Sequence, residues 1–201
     1  CYMGDGALNQ GCFYEAMNLA SLQDLPVIYV VENNRYSMGT AIERGTSMAH
    51  ELHLKAEAFG IENAVVNGKN VIDVYRDFKS ISDWCRKESR PFFVDVHTYR
   101  YKGHSMSDPR KYRTKDEEQQ EESQDCIYAL STYLRTEFDI TEDAIKQMSK
   151  QVKAQVRQAV EWAKQSPEAP IDELYTDVFT DFWGPYQGTS KPEMLQDKEQ
   201  S

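Results

Sequence analysis

Two short runs of this chain, "VIYVV" at residues 27–31 and "FFVDV" at 92–96, are apolar almost throughout and do not alternate. A strand with one face in water alternates, because successive side chains point to opposite faces. A strand buried on both faces has no reason to, and such strands lie inside parallel sheets covered by helices. The segments around these runs change period. Phe13, Ala16, Met17, Leu19 and Ala20 stand at helical spacing, and Val71, Val74, Tyr75, Phe78, Ile81 and Cys85 share one helical face. "CYM" before Gly4 reads as the end of another strand, "NAVV" as a further strand, and residues 50–59 as a short helix. Asn33 to Ser47 reads as a polar loop. This alternation predicts an α/β fold, a parallel sheet with helices on both faces.

After "FFVDV" the periodicity stops. Residues 99–115, "YRYKGHSMSDPRKYRTK", form a loop rich in Arg, Lys, Tyr and Ser. A loop of that length in a compact domain is usually functional or disordered. The acidic run "DEEQQEESQD" reads as a solvated helix start. Ile127, Leu130 and Leu134 mark one helix, and Ile145, Met148, Val152, Val156 and Val160 a longer one. Thr141 suits its N-cap, with Glu142 and Asp143 in the first turn. The organisation expected is a single domain: an α/β core at 1–98, a functional loop at 99–115, and a helical C-terminal region at 116–201 with a polar tail from Lys191. Because the first residues already read as strand, the chain is expected to begin inside a domain, with any targeting segment upstream.

Composition narrows the partners. A formal charge of −10 on 201 residues disfavours nucleic acid, which selects a basic face, and disfavours an anionic membrane surface equally. The longest apolar runs are too short to span a bilayer. Cys1, Cys12, Cys85 and Cys126 show no CxxC spacing, so neither a zinc site nor a disulfide framework is signalled and a reducing compartment fits.

Chemistry concentrates in two loops at strand ends. "GDG" at residues 4–6 follows the first strand, where open α/β sheets bind ligands. Gly4 and Gly6 let backbone approach a phosphate, and a helix N-terminus favours the anion. Asp5 alone could equally be an N-cap. The second loop, "ENNRYSMGT" at residues 32–40, lies at the end of the next strand and so beside the first. A carboxylate, an amide oxygen and a backbone carbonyl form the hard oxygen set that Mg²⁺ prefers, with phosphate oxygens and water completing the shell. The Asn pair is expected to close a metal–diphosphate site opened by Asp5.

"GDGALNQG" followed by "ENNRYSMGT" resembles the cofactor motif of thiamine-diphosphate-dependent enzymes, and through "YRYKGHSMSDP" the whole chain is similar to the C-terminal half or more of the α subunits of 2-oxo acid dehydrogenases, in their pyruvate form. The resemblance implies the thiamine-diphosphate-binding fold, truncated at its N-terminus, with a helical extension. It implies that Asp5 and Asn34 ligate Mg²⁺ by side chain and Tyr36 by its backbone carbonyl, while Gly4, Gly6 and Ala7 line the diphosphate. It also implies that His104 faces the cofactor as the catalytic imidazole, and that Arg100, Tyr101, Asp108, Tyr112 and Arg113 order its loop. His50, His53 and His97 have no such context and read as structural. Ser105 matches the serine whose phosphorylation silences mitochondrial relatives; a phosphate there would set about −2 of charge beside an anionic cofactor. An unmodified loop serine is the reading favoured for this chain.

The activity so implied is oxidative decarboxylation of pyruvate with transfer of the acetyl group to a lipoyl acyltransferase. The α chain holds Mg²⁺ and diphosphate, and a β subunit supplies the pyrimidine side in an α₂β₂ heterotetramer. Acetoin dehydrogenases share much of the His104 loop and branched-chain 2-oxo acid dehydrogenases the general plan, so both stand as alternatives. A reading of another class is a truncated, non-catalytic piece that only docks on other subunits. "RKYRT" lacks the second serine that mitochondrial forms carry there, which points to a bacterial, cytoplasmic protein; a mitochondrial matrix or plastid location is the alternative.

Overall fold

The computed structural model describes residues 1–174. Four parallel strands form one sheet in the order β1–β2–β6–β5: β1 (Tyr2–Gly4), β2 (Ile28–Asn33), β5 (Glu62–Asn67) and β6 (Phe92–His97). The two runs that do not alternate are the two inner strands. β6 carries Phe93, Val94, Asp95 and Val96 buried in succession, since neighbours flank it on both sides and side-chain layers cover both faces.

One face packs Val31 and Phe93 against Leu8, Phe13, Met17, Tyr29 and Leu52. Here α1 (Gly11–Leu22) supplies Phe13 and Met17, and Phe13 meets the Tyr29 ring edge-on at 5.6 Å. The other face packs Val30, Val66, Val94 and Val96 against Ile81 of α3 (Val71–Glu88). Burying each such side chain stabilises by roughly 1.5–3 kcal/mol. The fold is the expected one: α/β, a parallel sheet with helices on both faces.

Local signals set the helix starts. Asn70 accepts from the N–H groups of Ile72 and Asp73 at the head of α3, and Thr114 from Glu117 at the head of α4 (Lys115–Glu122). Asp125 does the same for α5 (Cys126–Phe138). Thr141 accepts from Ala144 as α6 (Glu142–Gln165) begins.

The structure departs from the expected elements in three places. The 33–47 segment is not plain loop: β3 (Tyr36–Ser37) and β4 (Thr40–Ala41) pair antiparallel, and α2 (Ile42–Gly45) follows. A two-residue strand is too short to show a period. Residues Leu52–Phe59 form a 3-10 helix, ended by Gly60 at φ +64°. "GDG" does not enter an α-helix directly, since a 3-10 turn at Asp5–Asn9 intervenes before α1.

The chain divides into two compact units, residues 1–145 and 146–201. The first holds the sheet, the loops at its strand ends, α4 and α5. In the second, Met148, Val152, Val156 and Val160 of α6 are exposed, and a 3-10 turn follows at Ile171–Leu174. The tail from Lys191 lies outside the described residues. Among those described, no helix is long and apolar enough to cross a membrane.

Candidate metal–diphosphate site

Parallel register places the two loops side by side. Gly4 pairs with Glu32, so Asp5 and Asn33 leave the ends of neighbouring strands together. Asp5 is 3% exposed. Its Oδ1 accepts from the Gly6 N–H at 2.8 Å, whereas Oδ2 is buried with no hydrogen-bond partner among the described residues. Burial pushes the carboxyl above its ordinary range, opposed by the N–H groups of Gly6 and Arg35 and the charge of Arg100. A buried carboxylate oxygen without a donor is costly, and a cation would satisfy it.

The other expected ligands sit in the adjoining turn. Asn34 is half-buried, and its Oδ1 accepts from the Tyr36 N–H at 3.1 Å. Arg35 between them has φ +67°, left-handed for a non-glycine residue. Such a conformation persists where surrounding contacts fix it. Tyr36 is half-buried with its hydroxyl on Glu117, 3.1–3.2 Å from the two carboxylate oxygens. Burial first, then that carboxylate, push the phenol up to about 12. A cavity of about 20 Å³ lies against Asp5, Gly6, Asn9, Ser37 and Thr40. That is about the room one water needs.

The two glycines have different jobs. A Cβ on Gly4 would meet nothing within 4 Å, which leaves its backbone open to a ligand. A Cβ on Gly6 would stand 2.7 Å from Cβ of Ser37, so Gly6 is required by the protein's own packing. Ala7 is exposed beside them.

The 99–115 loop straps onto this region. Arg100 donates to the Met38 carbonyl at 2.7 Å and to the Tyr112 hydroxyl at 3.0 Å. Asp108 accepts from Tyr112 at 2.6 Å and from the N–H groups of His104 and Arg110 at 2.8 and 2.9 Å, which hold its carboxyl down at about 2. Arg110 donates to the Tyr101 carbonyl and pairs with Glu118. Burial, and next the charge of Asp125, push the Tyr101 phenol up to about 12. Arg113 donates to the Arg100 carbonyl and lies among the rings of Tyr36, Tyr99 and Tyr112. His104 and Ser105 are exposed, with Ser105 Oγ 3.1 Å from Ser107 Oγ. His104 is fixed through its backbone N–H to Asp108.

Three contributors escaped sequence reading: Asp95, Tyr99 and Glu117. Asp95 left a signal, because a lone Asp inside an apolar strand must find partners if that strand is buried. The other two carry none, since their partners are distant along the chain.

A model of the dehydrogenase E1 component family matches residues 1–172, which include both loops and the strap. The chain belongs to the dehydrogenase E1 component family. Its relatives include the pyruvate dehydrogenase E1 component subunit alpha of Rickettsia typhi, 42% identical over 178 residues. That match covers 89% of this chain and 54% of the relative. The same-named subunit of Rhizobium meliloti is 43% identical over 88% of this chain and 51% of its own length. The mitochondrial type I subunit of Ascaris suum is 37% identical over 96% and 48%. The chain thus spans about half the length of the curated relatives it matches. Dehydrogenase E1 components are in general thiamine-diphosphate-dependent. The orphaned Asp5 oxygen, the open backbone at Gly4 and the oxygen donors of the 33–36 turn suit a metal-bound diphosphate.

Proposed function

We propose that this chain is the metal- and diphosphate-holding part of a pyruvate dehydrogenase α subunit, acting in oxidative decarboxylation of pyruvate and transfer of the acetyl group to a lipoyl acyltransferase. The observation that carries the reading is the Asp5 carboxylate, buried at the mouth of two parallel strands with one oxygen unpartnered, beside the Asn34–Tyr36 turn. Asp5 and Asn34 would hold Mg²⁺ by side chain and Tyr36 by its carbonyl, a hard oxygen set. Gly4, Gly6 and Ala7 would border the diphosphate. Thiamine diphosphate, when bound, supplies the electron sink for decarboxylating a 2-oxo acid.

This chain's own groups hold and orient. Its strap, through Arg100, Tyr101, Asp108, Tyr112 and Arg113, fixes the backbone that carries His104, whose imidazole can donate a hydrogen bond or a proton. Phosphorylation of exposed Ser105 would put negative charge into that strap. The pyruvate names of the relatives favour pyruvate over acetoin or branched 2-oxo acids, with a β subunit completing the pocket in an α₂β₂ assembly and a lipoyl domain as acceptor.

The test uses the complete protein with its partner chain. Thiamine diphosphate affinity is measured by calorimetry with Mg²⁺ and after chelation, then turnover on pyruvate, 2-oxobutyrate, branched 2-oxo acids and acetoin. Metal-dependent binding with preference for pyruvate is expected. Metal-independent binding would remove the assigned ligands, and preference for acetoin or a branched acid would move the chain to that subfamily.

A further inference from the structure

Asp95 lies in the middle of β6, 0% exposed, between Val94 and Val96. A carboxylate there must be matched by donors, and both its oxygens have them. Oδ1 accepts from Asn33 Nδ2 at 3.1 Å, and Oδ2 lies 3.3 Å from His97 Nε2. Register explains the meeting. Val31 pairs with Asp95 and Asn33 with His97, so Asn33, Asp95 and His97 share one sheet face at its C-terminal end. Asp5 directly follows Gly4, the last residue of β1, one strand further along.

Asn33 is itself 5% exposed and spends its other end on the turn: its Oδ1 accepts the Arg35 N–H at 3.2 Å. Its backbone carbonyl accepts from Thr98, fixing the strand on the β6 side. An Asn amide can turn over, exchanging a donor end for an acceptor end at little steric cost. With Asp95 as the acceptor the amide must present its N–H end, so Asp95 decides which end of Asn33 faces it. The observed orientation turns the Asn33 Oδ1 towards the Arg35 N–H as an acceptor. With that bond Arg35 stays left-handed, and the chain doubles back so that Tyr36 reaches Asn34 Oδ1.

We propose that Asp95 is a positioning residue of the metal site: acting through the Asn33 amide, it holds the 33–36 turn in the shape that presents Asn34 and the Tyr36 carbonyl to a divalent cation. The inference rests on the site reading given under the proposed function. Asp95 is fully buried and is not one of the proposed ligands. It is needed as a hydrogen-bond acceptor facing Asn33, a role that can be exchanged between the two side chains.

The test is a reciprocal swap in the complete protein in its native assembly, read as Mn²⁺ affinity by electron paramagnetic resonance at saturating thiamine diphosphate, with the melting temperature of each variant recorded alongside. Asn33→Asp sets two buried carboxylates against each other and is expected to weaken Mn²⁺ binding at least tenfold. Asp95→Asn can still accept from Asn33 and donate to His97 in its other tautomer, so affinity within about threefold of wild type is expected. The double variant, Asn33→Asp with Asp95→Asn, restores every donor–acceptor pair and is expected to recover affinity to within about threefold, a coupling that independent sites do not show. If Asn33→Asp does not fold, the double variant is still expected to fold and bind. Asn33→Asp binding like wild type, or a double variant that fails to recover, overturns the proposal. A melting temperature that moves with the swap while Mn²⁺ affinity stays constant also overturns it, because Asp95 would then support only the fold. Absence of Mn²⁺ binding in the wild type instead overturns the site reading itself.

Discussion

The Arg113 guanidinium lies 4.7 Å from the ring centroid of Tyr36, the residue whose carbonyl stands in the proposed metal turn. The same cation is 4.7 Å from the Tyr99 ring and 5.4 Å from Tyr112, and Tyr36 and Tyr112 pack at 5.2 Å. Its Nε and Nη2 are buried without hydrogen-bond partners among the described residues, so aromatic faces hold much of the charge. The end of the strap and the metal turn therefore form one packed unit. A long, basic loop with few aliphatic anchors is fastened by stacked rings.

Arg113→Lys keeps the charge but loses the planar stacking, which lysine does not reproduce. We expect about 1–2 kcal/mol of loop stability to be lost, which is roughly 5–30-fold more open loop. Tryptic cleavage at Lys102, Arg110 and Lys111 in the assembled enzyme should accelerate accordingly. Cleavage at the wild-type rate would show that the rings do not fasten the loop.

Asp5→Asn removes a buried charge that its surroundings compensate only in part. In metal-free protein the variant should melt a few degrees higher, since a gain of about 1 kcal/mol shifts a chain of this size by roughly 2–4 °C. With Mg²⁺ and thiamine diphosphate the order should reverse, because the wild type alone gains binding energy from the cation. Scanning calorimetry with and without chelator checks both halves, and a variant stabilised by Mg²⁺ as much as wild type would discount Asp5 as a ligand.

The glycines give a paired test. Gly6→Ala forces its Cβ onto Ser37 and should cost about 1–3 kcal/mol of stability. Gly4→Ala meets no protein atom and should leave the melting point within about 1–2 °C, yet weaken thiamine diphosphate binding by crowding the phosphate's approach. Equal calorimetric affinity of Gly4→Ala and wild type would place the diphosphate elsewhere.

Asp108 titrates at about 2, below the ordinary carboxyl value, because Tyr112 and the His104 and Arg110 N–H groups favour its charged form. A lowered folded-state value stabilises above the unfolded value and is lost as pH falls through the folded one. The melting-temperature gap between wild type and Asp108→Asn should therefore be constant from neutral pH down to about 4, and close as pH approaches 2. A gap that already changes between pH 8 and 6 would mean that another group is responsible.

The sequence by itself determined the sheet, its covering helices and the two polar loops at neighbouring strand ends. "VIYVV" and "FFVDV" lack alternation because both faces are buried, and this can be read from the sequence; so can the cap at Thr141, whose partner lies three residues away. The loops carrying Asp5 and Asn34 were legible because their motifs stand at strand ends. The tertiary structure alone decided what surrounds them. Asn33 meets Asp95 across 62 positions, Tyr36 meets Glu117 across 81, and Gly6 packs against Ser37. Such pairings depend on strand order and register. A local pattern specifies which face of a strand is buried, but not which neighbour that face will meet.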